Sequence, residues 1–186
     1  MEAHVLKRLF NVDEFHQMAQ AGVFGEDDRL ELLEGEIVRM TPIGSRHAAC
    51  VARLSEMFWS RCRATAIVNV QNPLVLSPGT ELYPDIALLA RRSDFYSDAL
   101  PSPRDVLLVV EVADTTGDHD RGIKAPLYAR AGVPEVWVVD LRERRIDVYR
   151  GLSAGEYREQ KRVVAGESLP IPRIEGEQIQ ASDALA

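Results

Sequence analysis

Between Ser45 and Ala64 the apolar residues Val51, Leu54, Phe58 and Cys62 recur at three- and four-residue steps, the period of an amphipathic helix. His47 lies on that stripe, four residues before Val51. Upstream, NVDEFHQMAQAG predicts a shorter helix. Asn11 can cap it, Glu14 stands at the third position of a capping box, and Gly22 can close it. DRLELLEGEIVRMTP alternates as two short strands, a hairpin turning at Glu34-Gly35 and ended by Pro42, with Glu31 in its first arm.

AIVNVQNPLVL and YPDIALLA predict a strand each, separated by the turn-rich link SPGTEL. RRSDFYSDALPSPRD follows as a polar loop, long for a strand connection. VLLVVEV is the most apolar run in the chain and has the mark of a strand covered on both faces. Residues 118–131 predict a helix with Pro126 in its first turn or at a kink. EVWVVDL and RIDVYR then predict strands around the turn RER, and EYREQKRVVAGESLPI a closing hairpin. The order implies an α/β or α+β fold, with helices flanking one central mixed sheet. We read the 186 residues as a single domain: helix and hairpin in 1–42, a core in 45–150, and a C-terminal hairpin and tail in 151–186.

Composition narrows the function classes. No apolar run approaches the ~18 residues that span a bilayer, and MEAHVLKRLFNVDEF lacks the apolar core of a signal peptide. A cytoplasmic protein with no membrane association is expected. Cys50 and Cys62 share the long helix about 18 Å apart at ~1.5 Å per residue, too far to pair. The formal net charge of −7 argues against a strong nonspecific nucleic-acid binder. The excess is uneven, however: residues 1–36 hold nine acidic and three basic side chains, and residues 121–150 seven basic and four acidic, so a basic face remains open in the second half.

The candidate chemistry lies in the strands. Asp85 begins a strand directly after Pro84, where a missing N–H costs the sheet little, and Glu111 ends the next and most apolar one. Two carboxylates on adjacent strand ends repel unless a cation sits between them. A hard divalent cation, Mg²⁺ or Mn²⁺, suits such a site, taking one or two carboxylates plus waters and phosphate oxygens. Lys124, on the following helix, can reach back and place its ammonium beside the cation, orienting a water or neutralising charge on a phosphoryl oxygen. Structural alternatives stand beside this reading. Asp85 can cap a turn, Glu111 can pair with Arg121 or Lys124, and Lys124 can pair with Asp120.

Several motifs in order then carry a resemblance: LELLEGEIV at 30–38, YPD at 83–85, VVEVADTT at 109–116, DRGIK at 120–124 and LYARAGVPEVWVVD at 127–140, with FHQMAQAGVF and TPIGSRH before them. Together they span roughly residues 10–150 and resemble the Uma-type restriction endonucleases, a branch of the PD-(D/E)XK nuclease superfamily. The resemblance implies a restriction endonuclease-like fold with a metal site where two central strands diverge. It makes Asp85 and Glu111 metal ligands, the Val112 carbonyl a backbone ligand, and Glu31 an acidic residue that assists from an early element. The superfamily's lysine two residues after the acid is absent, for Ala113 stands there. In the Uma-type pattern a lysine on the next helix takes that role, and Lys124 matches it.

Other residues carry less. His47 can contact a phosphate or help a proton transfer, or simply bond to backbone in a first turn. Tyr128 and Trp137 read as core packing rather than base-stacking residues. Glu135 can anchor the turn before its strand, and Arg142, Arg144 and Arg145 read as a solvated tip that can also approach a phosphate backbone. Two functions are expected from these readings. The first is an endonuclease cutting DNA phosphodiesters as a homodimer, since cutting both strands calls for two sites. The second is an inactive nucleic-acid or protein binding module on the same fold.

Overall fold

A computed structural model of the chain describes residues 6–114 and 120–186. The end of VVEVADTT and the first two residues of the helix predicted over 118–131 lie outside the described residues. Helix α1 (Val12–Gln20) carries the expected capping box: the Asn11 side chain accepts from the Glu14 N–H, and Glu14 returns a bond to the Asn11 N–H. Strands β1 (Leu30–Leu33) and β2 (Glu36–Arg39) form the predicted antiparallel hairpin. Its turn places Glu34 at φ +49° and Gly35 at φ +85°. Helix α2 (Ser45–Cys62) buries Cys50, Val51, Leu54, Phe58 and Cys62, the stripe read from its period.

The next stretch departs from expectation. AIVNVQNPLVL is two strands, β3 (Ala66–Val70) and β4 (Leu74–Ser77), and the supposed link contains a third, β5 (Thr80–Leu82). Strand β6 (Ile86–Ala90) begins one residue after Asp85, and β7 (Val106–Ala113) carries Glu111 inside the strand rather than at its end. A five-residue π-helical turn, Asp120–Lys124, leads into helix α3 (Ala125–Ala131). Pro126 therefore sits in the first turn of the α-helix, where its absent N–H breaks no bond. Strands β8 (Val136–Asp140) and β9 (Arg145–Ser153) follow, so Arg145 belongs to a strand and not to a loop tip. At the C-terminus EYREQKRVV is one strand, β10 (Glu156–Val164), paired with β9. The predicted closing hairpin is replaced by β11 (Ser168–Pro170) pairing with β12 (Gln178–Gln180) before the short helix α4 (Ala181–Ala184).

These strands form a six-stranded sheet in the order β10-β9-β8-β7-β6-β3, a four-stranded sheet β2-β1-β5-β4 and the two-stranded β11-β12. The large sheet is mixed, because β7 and β8 run parallel while its other pairs are antiparallel. Parallel neighbours need a crossover, and the turn-α3 segment provides it. One face packs Leu108, Val110, Trp137 and Val139 under α2 and the C-terminal elements. The other packs Val109, Val136 and Val138 against Tyr128 of α3 and against Leu74 and Leu82 of the small sheet. The continuous apolar run of β7 is thus explained: both of its faces are covered. No helix of the described residues is long and apolar enough to cross a membrane.

Candidate active site

β6 and β7 are in register from Leu88 with Leu108 to Ile86 with Val110, and there the pairing stops. Pro84 has no N–H to extend the ladder, and the chain bends toward Gln71, whose N–H lies 3.2 Å from the carbonyls of both Pro84 and Asp85. The Asp85 N–H instead faces the Glu111 Oε2 at 3.4 Å. Glu111 shares a face of β7 with Val109 and Ala113, since side chains alternate along a strand, and so points toward α3. There the Tyr128 hydroxyl donates to Glu111 Oε1 at 2.6 Å.

Two further residues close the group. Glu31 enters from β1 of the small sheet and accepts from the Tyr83 N–H at 3.0 Å. Lys124, last residue of the π turn, donates to the same Glu31 Oε1 at 2.9 Å and lies 3.5 Å from Glu111 Oε1. The structure thus brings together all four side chains singled out in the sequence, each between 2% and 7% exposed. The ammonium's partners are Glu31 and Glu111. Of the bland alternatives, an ion bridge between Glu111 and Lys124 is present.

Asp85 is held by three donors. Gln71 Nε2 binds its Oδ1 at 3.0 Å, while His47 Nε2 and the Val112 N–H bind its Oδ2, each at 2.9 Å. His47 therefore does not bond to backbone in its first turn; it reaches a carboxylate, and its Nδ1 is buried without a partner. Gln71 holds its place at φ +52°, which a non-glycine residue adopts only where surrounding contacts impose it. Neither partnership has a sequence signal, though His47 stood on the core-facing stripe of its helix. Tyr128 and Trp137 are fully buried, as packing predicts, and the Trp137 indole donates to Glu135. The second contact of Tyr128, to Glu111, was not foreseen.

The electrostatics follow from burial. Burial raises the Asp85 carboxyl, but the bonds from His47, Gln71 and Val112 outweigh it and hold it below its ordinary value. Glu111 is deeper, and burial pushes it up to about 8 against the pull of Lys124. Burial lowers the Lys124 ammonium, yet Glu111, Glu31 and Asp120 more than restore it, so it stays charged. The centre is thus a buried lysine among acids, in which burial works against the charge on Glu111 and Lys124 works for it.

A cavity of about 560 Å³ opens over these residues, walled by Arg29, residues 38–44, His47 and Asp114. Among the described residues no three His, Cys, Asp or Glu side chains form a group that could by itself hold a metal ion. The donor set nevertheless fits a hard cation that keeps several waters. Asp85 and Glu111 face each other at the strand divergence, with lone pairs left beyond those used by protein donors. The carbonyl and N–H of one strand residue point to the same side, so the Val112 carbonyl points to the edge where its N–H meets Asp85.

Arg145 and Arg121 pair with Asp147 and Asp140 across β8 and β9, so Arg145 is engaged in the sheet and not in a solvated tip. Cys50 and Cys62 are both buried free thiols.

The comparisons agree with this architecture. The crystal structure titled a "putative nuclease belonging to DUF820" from Anabaena variabilis superposes with a TM-score of 0.72 at 15% identity, covering 95% of this chain and 97% of that one. That likeness shows a shared fold. The type IIG restriction endonuclease BpuSI gives a TM-score of 0.42 at 17% identity over 75% of this chain and 15% of that one, too low to argue from. No curated protein matches in sequence. The model of the Uma2 family, described as "Putative restriction endonuclease", matches residues 12–182, nearly the whole chain, and the chain belongs to that family.

Proposed function

We propose that the protein is a metal-dependent endonuclease that hydrolyses DNA phosphodiesters at the pocket over Asp85 and Glu111. One observation carries the reading: Glu31, Asp85, Glu111 and Lys124 come from four separate segments and line one pocket, where the Lys124 ammonium reaches Glu31 and Glu111 and the Asp85 N–H faces Glu111. Asp85, Glu111 and the Val112 carbonyl would hold Mg²⁺ or Mn²⁺, which when bound polarises a phosphoryl oxygen and lowers the charge on the attacked group. His47, Gln71 and the Val112 N–H fix the Asp85 carboxylate, so its orientation is set before substrate arrives. Tyr128 does the same for Glu111. Lys124 carries the ammonium that the parent motif would place at position 113; it orients the attacking water and neutralises charge building on the phosphoryl oxygens. Glu31 holds that ammonium in place. Cutting both strands calls for two such sites, and we propose a homodimer, checked by light scattering coupled to size exclusion.

The test is incubation of purified protein with supercoiled and linear DNA and Mg²⁺ or Mn²⁺. Nicked and linear products are expected from the wild type, and none from Asp85→Ala or Lys124→Ala. An inert wild type, or equal cleavage by the variants, overturns the reading.

A second reading is favoured by one feature: each of the three buried acids already has protein donors, and the Lys124 ammonium lies beside Glu31 and Glu111. The same fold would then be a nucleic-acid or protein binding module without a reaction. Calorimetric titration separates the two, because a pocket that takes up no Mg²⁺ or Mn²⁺ at millimolar concentration supports the second.

A further inference from the structure

The far end of the large sheet carries a surface unlike the rest of this acidic chain. Trp59, in the last turn of α2, is 58% exposed and Phe95, in the loop after β6, is 62% exposed. Two arginines join them. The Arg63 guanidinium lies 5.2 Å from the centre of the Trp59 ring and that of Arg91 lies 5.6 Å from the Phe95 ring, while Arg91 also donates to the Arg63 carbonyl at 2.6 Å. Neither Arg63 nor Arg91 has an acidic partner among the described residues. Arg92 is paired with Asp94 and stacks over Tyr96 at 4.6 Å, and Glu56 lies one turn before Trp59 on α2. The patch thus holds two guanidiniums without acidic partners among the described residues and two largely exposed rings, each approached by one of them.

Its backbone is strained to that end. Phe95 and Tyr96 are consecutive non-glycine residues at φ +51° and +63°. A bulky residue in this region costs of order 1 kcal/mol or more and persists only where surroundings impose it. Tyr96 supplies the anchor, being buried and donating its hydroxyl to the Ala90 carbonyl at 2.7 Å. Phe95 is the residue left facing water. An exposed ring held outward by a strained loop is a feature that packing alone does not require.

We infer that Trp59, Arg63, Arg91 and Phe95 form a second site that binds single-stranded nucleic acid, its bases stacking on the two rings and its phosphates meeting the two guanidiniums. Exposed rings beside arginines that have no acidic partner suit bases and phosphates in alternation, whatever the sequence. A duplex keeps its base faces stacked inside and cannot use the rings. The site is distinct from the catalytic pocket. From His47 to Trp59 along α2 is about 18 Å at ~1.5 Å per residue. From Asp85 to Arg91 along β6 is about 20 Å at ~3.3 Å per residue. The inference goes beyond the endonuclease reading, since binding at the patch requires no cleavage.

Tryptophan emission tests it directly, because Trp59 is exposed and the other tryptophan, Trp137, is fully buried. The full chain is titrated with a 20-nucleotide oligothymidylate in EDTA. Quenching is expected from the wild type, and Trp59→Phe should lose most of it while remaining folded by circular dichroism. Arg63→Ala/Arg91→Ala should bind roughly ten-fold more weakly, with a log K against log salt slope shallower by about 1.4, two phosphates at ~0.7 each. Phe95→Ala should weaken binding about ten-fold, as loss of one stacked base does. Asp85→Ala should bind and quench like the wild type. Unchanged affinity and slope in the arginine double variant overturn the inference. So does binding lost in Asp85→Ala but kept in the patch variants, which would put the strand in the catalytic pocket and leave the endonuclease reading standing. Self-association or capture of a protein that the patch variants abolish, without any oligothymidylate binding, assigns the surface to protein contact and also overturns it.

Discussion

Lys124→Met tests whether the buried ammonium is held by charge. The Lys124 and Glu31 side chains are only 5% and 3% exposed, and their atoms meet at 2.9 Å. Removing the ammonium leaves Glu31 buried with the Tyr83 N–H as its remaining donor. Breaking a buried pair from one side costs about 3–5 kcal/mol, because the remaining charge is uncompensated. At about 2–4 °C per kcal/mol for a chain of this length, the melting temperature should fall by roughly 10 °C. The double variant Lys124→Met/Glu31→Gln removes the stranded charge, and its amide oxygen can still accept from Tyr83. It should recover about 2 kcal/mol relative to the sum of the single changes, a non-additivity expected of residues in contact. Thermal and urea unfolding of the wild type, both single variants and the double variant complete the cycle. DNA cleavage should stay absent in the double variant even as its stability returns. A Lys124→Met protein as stable as the wild type, or single effects that simply add, would refute the buried pair on which the lysine's position depends.

Tyr128→Phe removes the hydroxyl that donates to Glu111 at 2.6 Å while keeping the ring that fills the core. A loss of about 1–3 kcal/mol in urea unfolding is expected, with cleavage reduced at least ten-fold; a wild-type profile in both would show the bond to be idle. Gln71→Gly removes the amide on Asp85 but relieves a positive φ of +52°, so the melting temperature should stay within a few degrees while cleavage falls; a large stability loss with full cleavage would contradict this. Burial pushes the Cys50 thiol up to about 11. The native thiol then keeps its proton between about 9 and 11 while the unfolded one releases it, so stability falls as pH rises through that window by at most about 1.4 kcal/mol per unit. Cys50→Ala should flatten that slope in chemical unfolding at pH 9 to 11, and an unchanged slope would assign it to other groups.

The elements legible in the sequence were those whose period runs long enough to repeat. Val51, Leu54, Phe58 and Cys62 return to one side of α2 several times, and VLLVVEV is apolar on both faces of β7, so each had a single structural solution. Strand β5 had none of this. Thr80, Glu81 and Leu82 are two polar residues and one apolar, set behind Pro78 and Gly79, and they read as a turn. They are buried because β1 and β4 flank them, with Glu81 met by His16 and the Tyr83 hydroxyl. Short elements such as α4 and β12 are likewise fixed by what they pack on. In the site, Glu111 stood out because a charge in an apolar run asks for a partner, Asp85 and Lys124 by their places on the neighbouring strand and following helix, and Glu31 only through the resemblance. Gln71 and His47 gave no such sign: one is an ordinary polar residue after a strand, the other lies on an apolar stripe. Their bonds to Asp85 join positions 14 and 38 residues apart, and only the tertiary fold makes those pairs.

At position 113, where the resemblance to the nuclease superfamily leads one to expect a lysine, the chain has Ala113. Glu111 and Ala113 project from the same face of β7, toward the side covered by α3. A lysine at 113 would extend over that face beside the acid. In this chain the face is occupied from the other direction, because the π turn brings Lys124 onto Glu111 and Glu31 and the Tyr128 ring packs immediately after it. Ala113 is 1% exposed within that apolar cluster, and a longer cationic side chain there would have to place its charge among apolar neighbours. Ala113 keeps that face apolar beside the acid to which Tyr128 donates, and the π turn sets where the ammonium arrives.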